Sequence, residues 1–325
     1  MWGPSTRPQL WLPPNPSIVH KTTRTYLPRD QPVMSHQDKS PDMSKLSAPL
    51  KALINAPFAR PGPRPAPQQV QELYESIAND AAVRNLGIRS WLAVSAATTF
   101  TLNSPDSLPA LHRVASSKQP DSAVQNAEFI REVGLKCIGF NGIPRTINSL
   151  NAFYASLPED VSSKLSTTPS RRPTPENLET TLKRGRGLWD SVYRPFEDKL
   201  LEKLALAHPD LPVHILSSHY AALFTDPPPA ERGSLASVGR VHTSLLGISC
   251  LRAQTGVGPQ VLSHVFGLRK ALEDGTYKND IDGETEEGLQ YLASDEGGHW
   301  ILNTIDKIVE AIGGSSFAPG RESKL

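Results

Sequence analysis

Gln260 and His264 stand four residues apart, which puts an amide and an imidazole one turn apart on the same helical face. Imidazole is the side chain whose charge changes nearest neutral pH, so His264 is the chain's leading candidate for proton transfer. It belongs to a skeleton that occurs twice. Arg89, His112, Glu132, Gly142 and Asn148 form one copy, and Arg240, His264, Glu287, Gly297 and Asn303 the other. The Arg-to-His gaps are 23 and 24 residues, and both copies keep ten residues from Glu to Gly and six from Gly to Asn. A spacing kept twice implies one supersecondary unit used twice. The copies differ where chemistry would sit: Leu108 stands four residues before His112, so only His264 has a polar partner there.

Other chemistries fail on spacing. His214 and His219 are five residues apart, about 140° round an α-helix, so they do not share a metal-facing stripe. No glycine-rich phosphate loop and no nucleophile elbow occurs. Cys137 and Cys250 lie in apolar helical runs, where a buried, inert thiol is expected. Trp189 and Tyr193, four apart, read as a core pair. Nothing in the residues asks for a metal or a cofactor.

The elements that must position these residues are helical. Val70, Leu73, Ile77 and Ala81 recur at three and four residues, and Trp91 to Phe100 is an alanine-rich apolar stretch. A helix is predicted over 122–139, broken at Gly142, with Pro144 opening the next through Ile147, Leu150 and Tyr154. Helical periodicity returns over 176–186, 193–207 and 213–224, and no period-two alternation is found. The fold class is all-α. Composition agrees: the apolar fraction is 38%, and many of the 30 prolines fall in connectors. The signs of a +1 net charge are interspersed, which gives no basic face for nucleic acid. No apolar run reaches the roughly 18 residues of a membrane span. Two cysteines in 325 residues make no disulfide framework and point to a reducing compartment. The expected organisation is a disordered extension over 1–48, a first helical repeat over 49–160, a Ser/Thr/Pro-rich linker over 161–175, a second repeat over 176–312 and a flexible tail over 313–325.

The run Pro259-Gln260-Val261-Leu262-Ser263-His264-Val265-Phe266-Gly267, with Arg186 to Asp190 and Arg240 to Leu251 ahead of it, resembles the carboxymuconolactone decarboxylase and alkylhydroperoxidase D-like superfamily. The earlier Gly142-Ile143-Pro144-Arg145-Thr146-Ile147-Asn148 is similar to the same family's helix–break–helix half. The resemblance implies an all-helical fold whose units assemble, here as an intramolecular pseudo-dimer of two tandem units, with homo-oligomers a further expectation. The family's peroxidase branch uses a Cys-x-x-Cys pair ahead of its histidine. Positions four and seven before His264 are Gln260 and Val257, and the place of the upstream glutamate holds Leu245, so thiol peroxidase activity is not expected. The decarboxylase branch carries the Gln-x-x-x-His pattern. Decarboxylation beside a carbonyl needs a cation for the carboxylate, a donor for oxyanion charge and an acid for the carbanion. The resemblance makes His264 the acid beside Gln260, Arg240 or Arg269 the cation, and His299 or His242 a further wall of the pocket, with a small carboxylated or carbonyl metabolite as substrate. Each has a structural alternative: Arg240 as a helix-end pair, Arg269 as a solvated stem, His299 in a turn, and the whole protein as a non-catalytic scaffold or binding protein.

The ends bear on location. Ser323-Lys324-Leu325 reads as an address for the peroxisomal import receptor. The first 29 residues lack Asp and Glu and include Arg7, Lys21, Arg24 and Arg29, as mitochondrial presequences do. Prolines 4, 8, 13, 14 and 16 oppose the helix such a presequence needs, and initiation at Met34 or Met43 would remove it. A peroxisomal protein is expected, with mitochondrion and cytoplasm as alternatives.

Overall fold

The computed structural model describes residues 46–56, 62–280 and 283–314. The extension up to residue 45 and the Ser323-Lys324-Leu325 address lie outside them. Among the described residues every regular element is a helix, the all-α fold that the periodicity predicts. Two compact units divide the chain, Met1–Ala59 and Arg60–Leu325. The first contains α1 (Ala48–Ile54), capped by Ser47, whose Oγ accepts from Leu50 N at 3.4 Å. The division falls between Ala59 and Arg60, inside the span 49–160 expected for a first repeat.

The second unit is built round two helices buried on nearly every side. These are α3 (Ile88–Thr101) and α13 (Gly239–Gln254), and they pack against each other. Their sequences explain how. Ala93, Ala96 and Ala97 on α3 are small enough for the two helices to approach closely, and Cys250 Sγ on α13 comes within 3.9 Å of Ala97 O. Three of the buried threonine hydroxyls on α3 are satisfied within the helix: Thr98, Thr99 and Thr101 each donate to the carbonyl four residues back at 2.7 Å, whereas Ser95 Oγ and Ser249 Oγ have no hydrogen-bond partner. Beside α3 lie α2 (Val70–Val83), α4 (Leu108–Lys118), α5 (Ala123–Lys136) and, past the short α6 (Ile138–Asn141), α7 (Ile143–Ser156). Beside α13 lie α14 (Gly258–Glu273) and α16 (Asp295–Ile312), the latter preceded by the short α15 (Glu286–Leu292).

The connector between the expected repeats opens with α8 (Glu159–Ser162), and residues 163–174 then run without regular structure but pinned to α5. Ser166 N donates to Glu128 Oε1 at 2.6 Å, Arg171 pairs with Glu132, and Leu165 is buried. Next come α9 (Pro175–Tyr193), opened by a Thr174–Asn177 capping box, and α10 (Glu197–Ala207). Pro195 ends the helical run that the periodicity extends from 193. The span 213–224 holds a surprise. After α11 (Asp210–His214) the chain continues as a π-helix from Ile215 to Phe224, then reaches the short α12 (Pro229–Arg232).

The twin skeleton divides in two. Arg89 and Arg240 are the second residues of α3 and α13, and His112 and His264 lie buried on α4 and α14. The remainder diverges. Gly142 precedes α7 at φ +80°, but Gly297 sits inside the first turn of α16, whose cap is Ser294. A Cβ on Gly297 would stand 1.9 Å from Tyr291 O, so close backbone packing, not a helix break, requires glycine there. Asn148 and Asn303 are both exposed.

Candidate functional site

Helix α14 begins at Gly258-Pro259, with proline where its missing N–H costs nothing, and carries Gln260 and His264 one turn apart. His264 is 7% exposed. Its ring lies on α13 at Gly247, where a Cβ would stand 2.6 Å from Nδ1, so only glycine leaves the imidazole its place. Phe140 and Tyr193 meet it edge-on, with ring centroids at 6.0 and 6.3 Å. Beyond the ring opens a groove of about 690 Å³, which Gln260 and Ser263 also line.

The groove is walled by apolar side chains from four elements, aromatic in three of them. Phe140 comes from α6, Trp189 and Tyr193 from α9, Leu200 and Leu204 from α10, and Tyr220 and Phe224 from the π-helix. Phe140 and Phe224 stack at 5.3 Å, and Trp189 meets Tyr193 at 4.2 Å and Tyr220 at 5.0 Å. Their polar atoms are spoken for: Tyr220 OH donates to Tyr193 OH at 3.0 Å, and Trp189 Nε1 donates to Glu197 O at 3.2 Å. Trp189 and Tyr193, a core pair by spacing, are therefore both core and wall. The polar groups left in the groove are His264, His219, Gln260, Ser263 and Lys203, with Gln260 and Lys203 exposed at the mouth.

Electrostatics fix the state of the imidazoles. Burial, assisted by the Arg240 charge, lowers the His264 pKa from 6.5 to about 4, so the ring is neutral at pH 7. Its Nδ1 is buried with no hydrogen-bond partner, as is Nδ1 of His219. Burial, with the neighbouring His214, lowers His219 too.

The other expected site residues lie elsewhere. Arg240 is behind His264 and does not line the groove. Its guanidinium donates to Ser191 Oγ (2.8 Å), Ser191 O (3.1 Å), Ser244 Oγ (2.7 Å) and Gly267 O (2.6 Å), tying α9, α13 and α14 together. Arg269, five residues past His264 and so far round α14, pairs with Asp295. His299 is exposed on α16. His242 is buried between Ser90 Oγ and Glu284 Oε1, at 3.5 and 3.2 Å, and the same carboxylate accepts from Gly87 N and Ser90 N at the start of α3. His112 is held by Ala123 O at 2.9 Å and Ser116 Oγ at 3.3 Å.

His219 was missed because an α-helical register separates it from His214. In the π-helix, hydrogen bonds close at i+5, and the two rings meet at 5.1 Å. No group of three or more His, Cys, Asp or Glu residues able to hold a metal occurs among the described residues. No helix among them is long and apolar enough to cross a membrane.

No family model matches the chain, and no solved structure matches it. It is similar to Peroxisomal protein 2 of Saccharomyces cerevisiae, at 26% identity across 62% of this chain and 86% of that protein.

Proposed function

We propose that the protein binds a small, largely apolar metabolite carrying a carbonyl or carboxylate in the His264 groove, and acts on it as a carboxymuconolactone decarboxylase-like protein. One observation carries this reading: His264 and Gln260 meet on a single aromatic-walled groove of about 690 Å³, a size that suits a small ligand. The rings would cover the apolar body. Lys203 is the cation lining the groove, in the part the sequence assigned to Arg240 or Arg269. When the carboxylate carbon–carbon bond breaks and CO₂ leaves, charge moves onto the neighbouring carbonyl oxygen. A neutral imidazole N–H stabilises that oxygen as a hydrogen-bond donor, and the carbanion takes its proton from water at the open mouth.

A second reading, binding without turnover, draws on two findings. Arg240 has its donors committed, and His264 is a weak base. The test is CO₂ release from a panel of small 3-oxo acids, with calorimetric binding of the same compounds, for wild type and His264→Ala. Release by wild type that falls about 100-fold or more in the variant supports catalysis. Binding without release, lost in the variant, supports the second reading. Neither release nor binding overturns both.

The same proposal makes the two expected helical repeats an intramolecular pseudo-dimer within the second unit, supported by Arg89 and Arg240 at matching positions of the packed helices α3 and α13. It also makes the protein a peroxisomal one, supported by Ser323-Lys324-Leu325 and by the name of its yeast relative. A fluorescent fusion with a free carboxyl terminus should enter peroxisomes through the import receptor and stay out once those three residues are removed. Light scattering on the purified chain tests further assembly into a homo-oligomer.

A further inference from the structure

A second groove, of about 560 Å³, opens where α9, α12 and the starts of α3 and α13 approach, and four arginines line it: Arg89, Arg184, Arg232 and Arg240, the last with its donors already committed. Most arginine contacts elsewhere end on a carboxylate, as in Arg131–Glu128, Arg171–Glu132, Arg252–Asp306 and Arg269–Asp295. Arg184 and Arg232 have no such partner among the described residues. Arg184 donates once, to Thr181 Oγ1 at 3.1 Å, and Arg232 once, to Pro227 O at 3.2 Å. The Nε of each is buried with no acceptor, a state that costs free energy unless something supplies one.

The acids in the same groove do not supply it. Asp226 is neutralised by Lys136 Nζ at 2.7 Å and accepts from Gly239 N at 2.7 Å and Val238 N at 3.2 Å. Asp280 is turned to Val241 N at the start of α13. The rim between Pro227 and Pro229 consists of prolines, which offer no N–H to compete for an anion. In a chain of net charge +1, this is a local concentration of positive charge facing open space.

We propose that this groove is an anion site, independent of the His264 groove, which takes a phosphoryl group between Arg184 and Arg232. A guanidinium matches phosphate oxygens in bidentate fashion, and a dianion answers two unpaired guanidinium groups better than one carboxylate does.

The experiment is calorimetric titration of the full chain with inorganic phosphate, with glycerol 3-phosphate and with acetate, at matched ionic strength. Wild type should bind phosphate saturably and acetate more weakly. Arg184→Gln and Arg232→Gln should each weaken phosphate about tenfold, and Arg252→Gln, at an exposed ion pair, should change nothing. Glycerol 3-phosphate binding more tightly than phosphate assigns the site to an ester; equal or weaker binding assigns it to the free ion. Absence of saturation in wild type, acetate binding as tightly as phosphate, or equal losses in Arg252→Gln and Arg184→Gln would overturn the proposal. Arg184 and Arg232 are only partly buried, so unfolding is not the expected failure, and melting curves identify it if it occurs.

Discussion

Cys137 and Cys250, the chain's two cysteines, place their sulfurs 3.6 Å apart across 113 residues of sequence. The contact joins the end of α5 to α13, and both thiols are wholly buried. Burial pushes the Cys137 thiol well up from its ordinary value, so the reactive thiolate is suppressed. A disulfide-exchange reagent should therefore titrate no thiol in the native protein and two after denaturation. Rapid native reaction of either would refute the burial.

The His264 pKa sets a pH dependence whose sign is definite. The group binds a proton with a pKa of about 4 when folded and 6.5 when unfolded, so between those values the unfolded chain holds more protons. Stability is full above pH 6.5, declines as pH falls toward 4, and loses about 3 kcal/mol through this one group. Urea denaturation of wild type and His264→Gln at pH 7 and pH 4.5 isolates the effect: the variant should lose less across the interval. Parallel losses would mean that another group carries the acid sensitivity.

Lys136 is fully buried, with Nζ bonded to Phe224 O at 2.5 Å and Asp226 Oδ1 at 2.7 Å. Its charge has no route to water, so removing Asp226 strands it. Lys136→Met or Asp226→Ala alone should cost about 3–5 kcal/mol, and the double variant should cost less than their sum. The check is a double-mutant cycle of urea midpoints with unchanged slope. Additive losses would show that the pair is not coupled.

Gly247→Ala tests the seat of the imidazole. The added methyl would occupy the place of His264 Nδ1, so overpacking should cost about 1–3 kcal/mol and push the ring into the groove. Relieved of burial, His264 should titrate closer to 6.5, which a histidine C2-proton NMR titration would report. A value still near 4 would mean that α13 and α14 had moved apart instead.

Local pattern made the helices legible, and long-range approach decided most of the rest. Val70, Ile77 and Ala81 announce α2, and the four-residue spacing of Gln260 and His264 predicts a shared face that the groove indeed uses. The roles of Arg240, Arg269, His299 and His242 depend on which helix each meets, and periodicity carries no such information. The approach of Cys137 to Cys250, and the presence of Arg184 and Arg232 on one groove, follow from tertiary packing alone. His214 and His219 misled for a different reason: the arithmetic assumed about 3.6 residues per turn where the backbone uses a wider turn.

That wider turn ties the chemistry of the groove to a count of residues. Ile215, His219, Tyr220 and Phe224 all line it, at offsets of four, five and nine, which one face of an α-helix does not hold together. Deleting one residue between Ile215 and His219 would let the segment relax to i+4 bonding with His219 and Phe224 still five apart, about 140° round the axis and on different sides. The groove would close although every other residue lining it remained. Among descendants of this chain, loss of the site would be recorded as a single gap and not as a substitution.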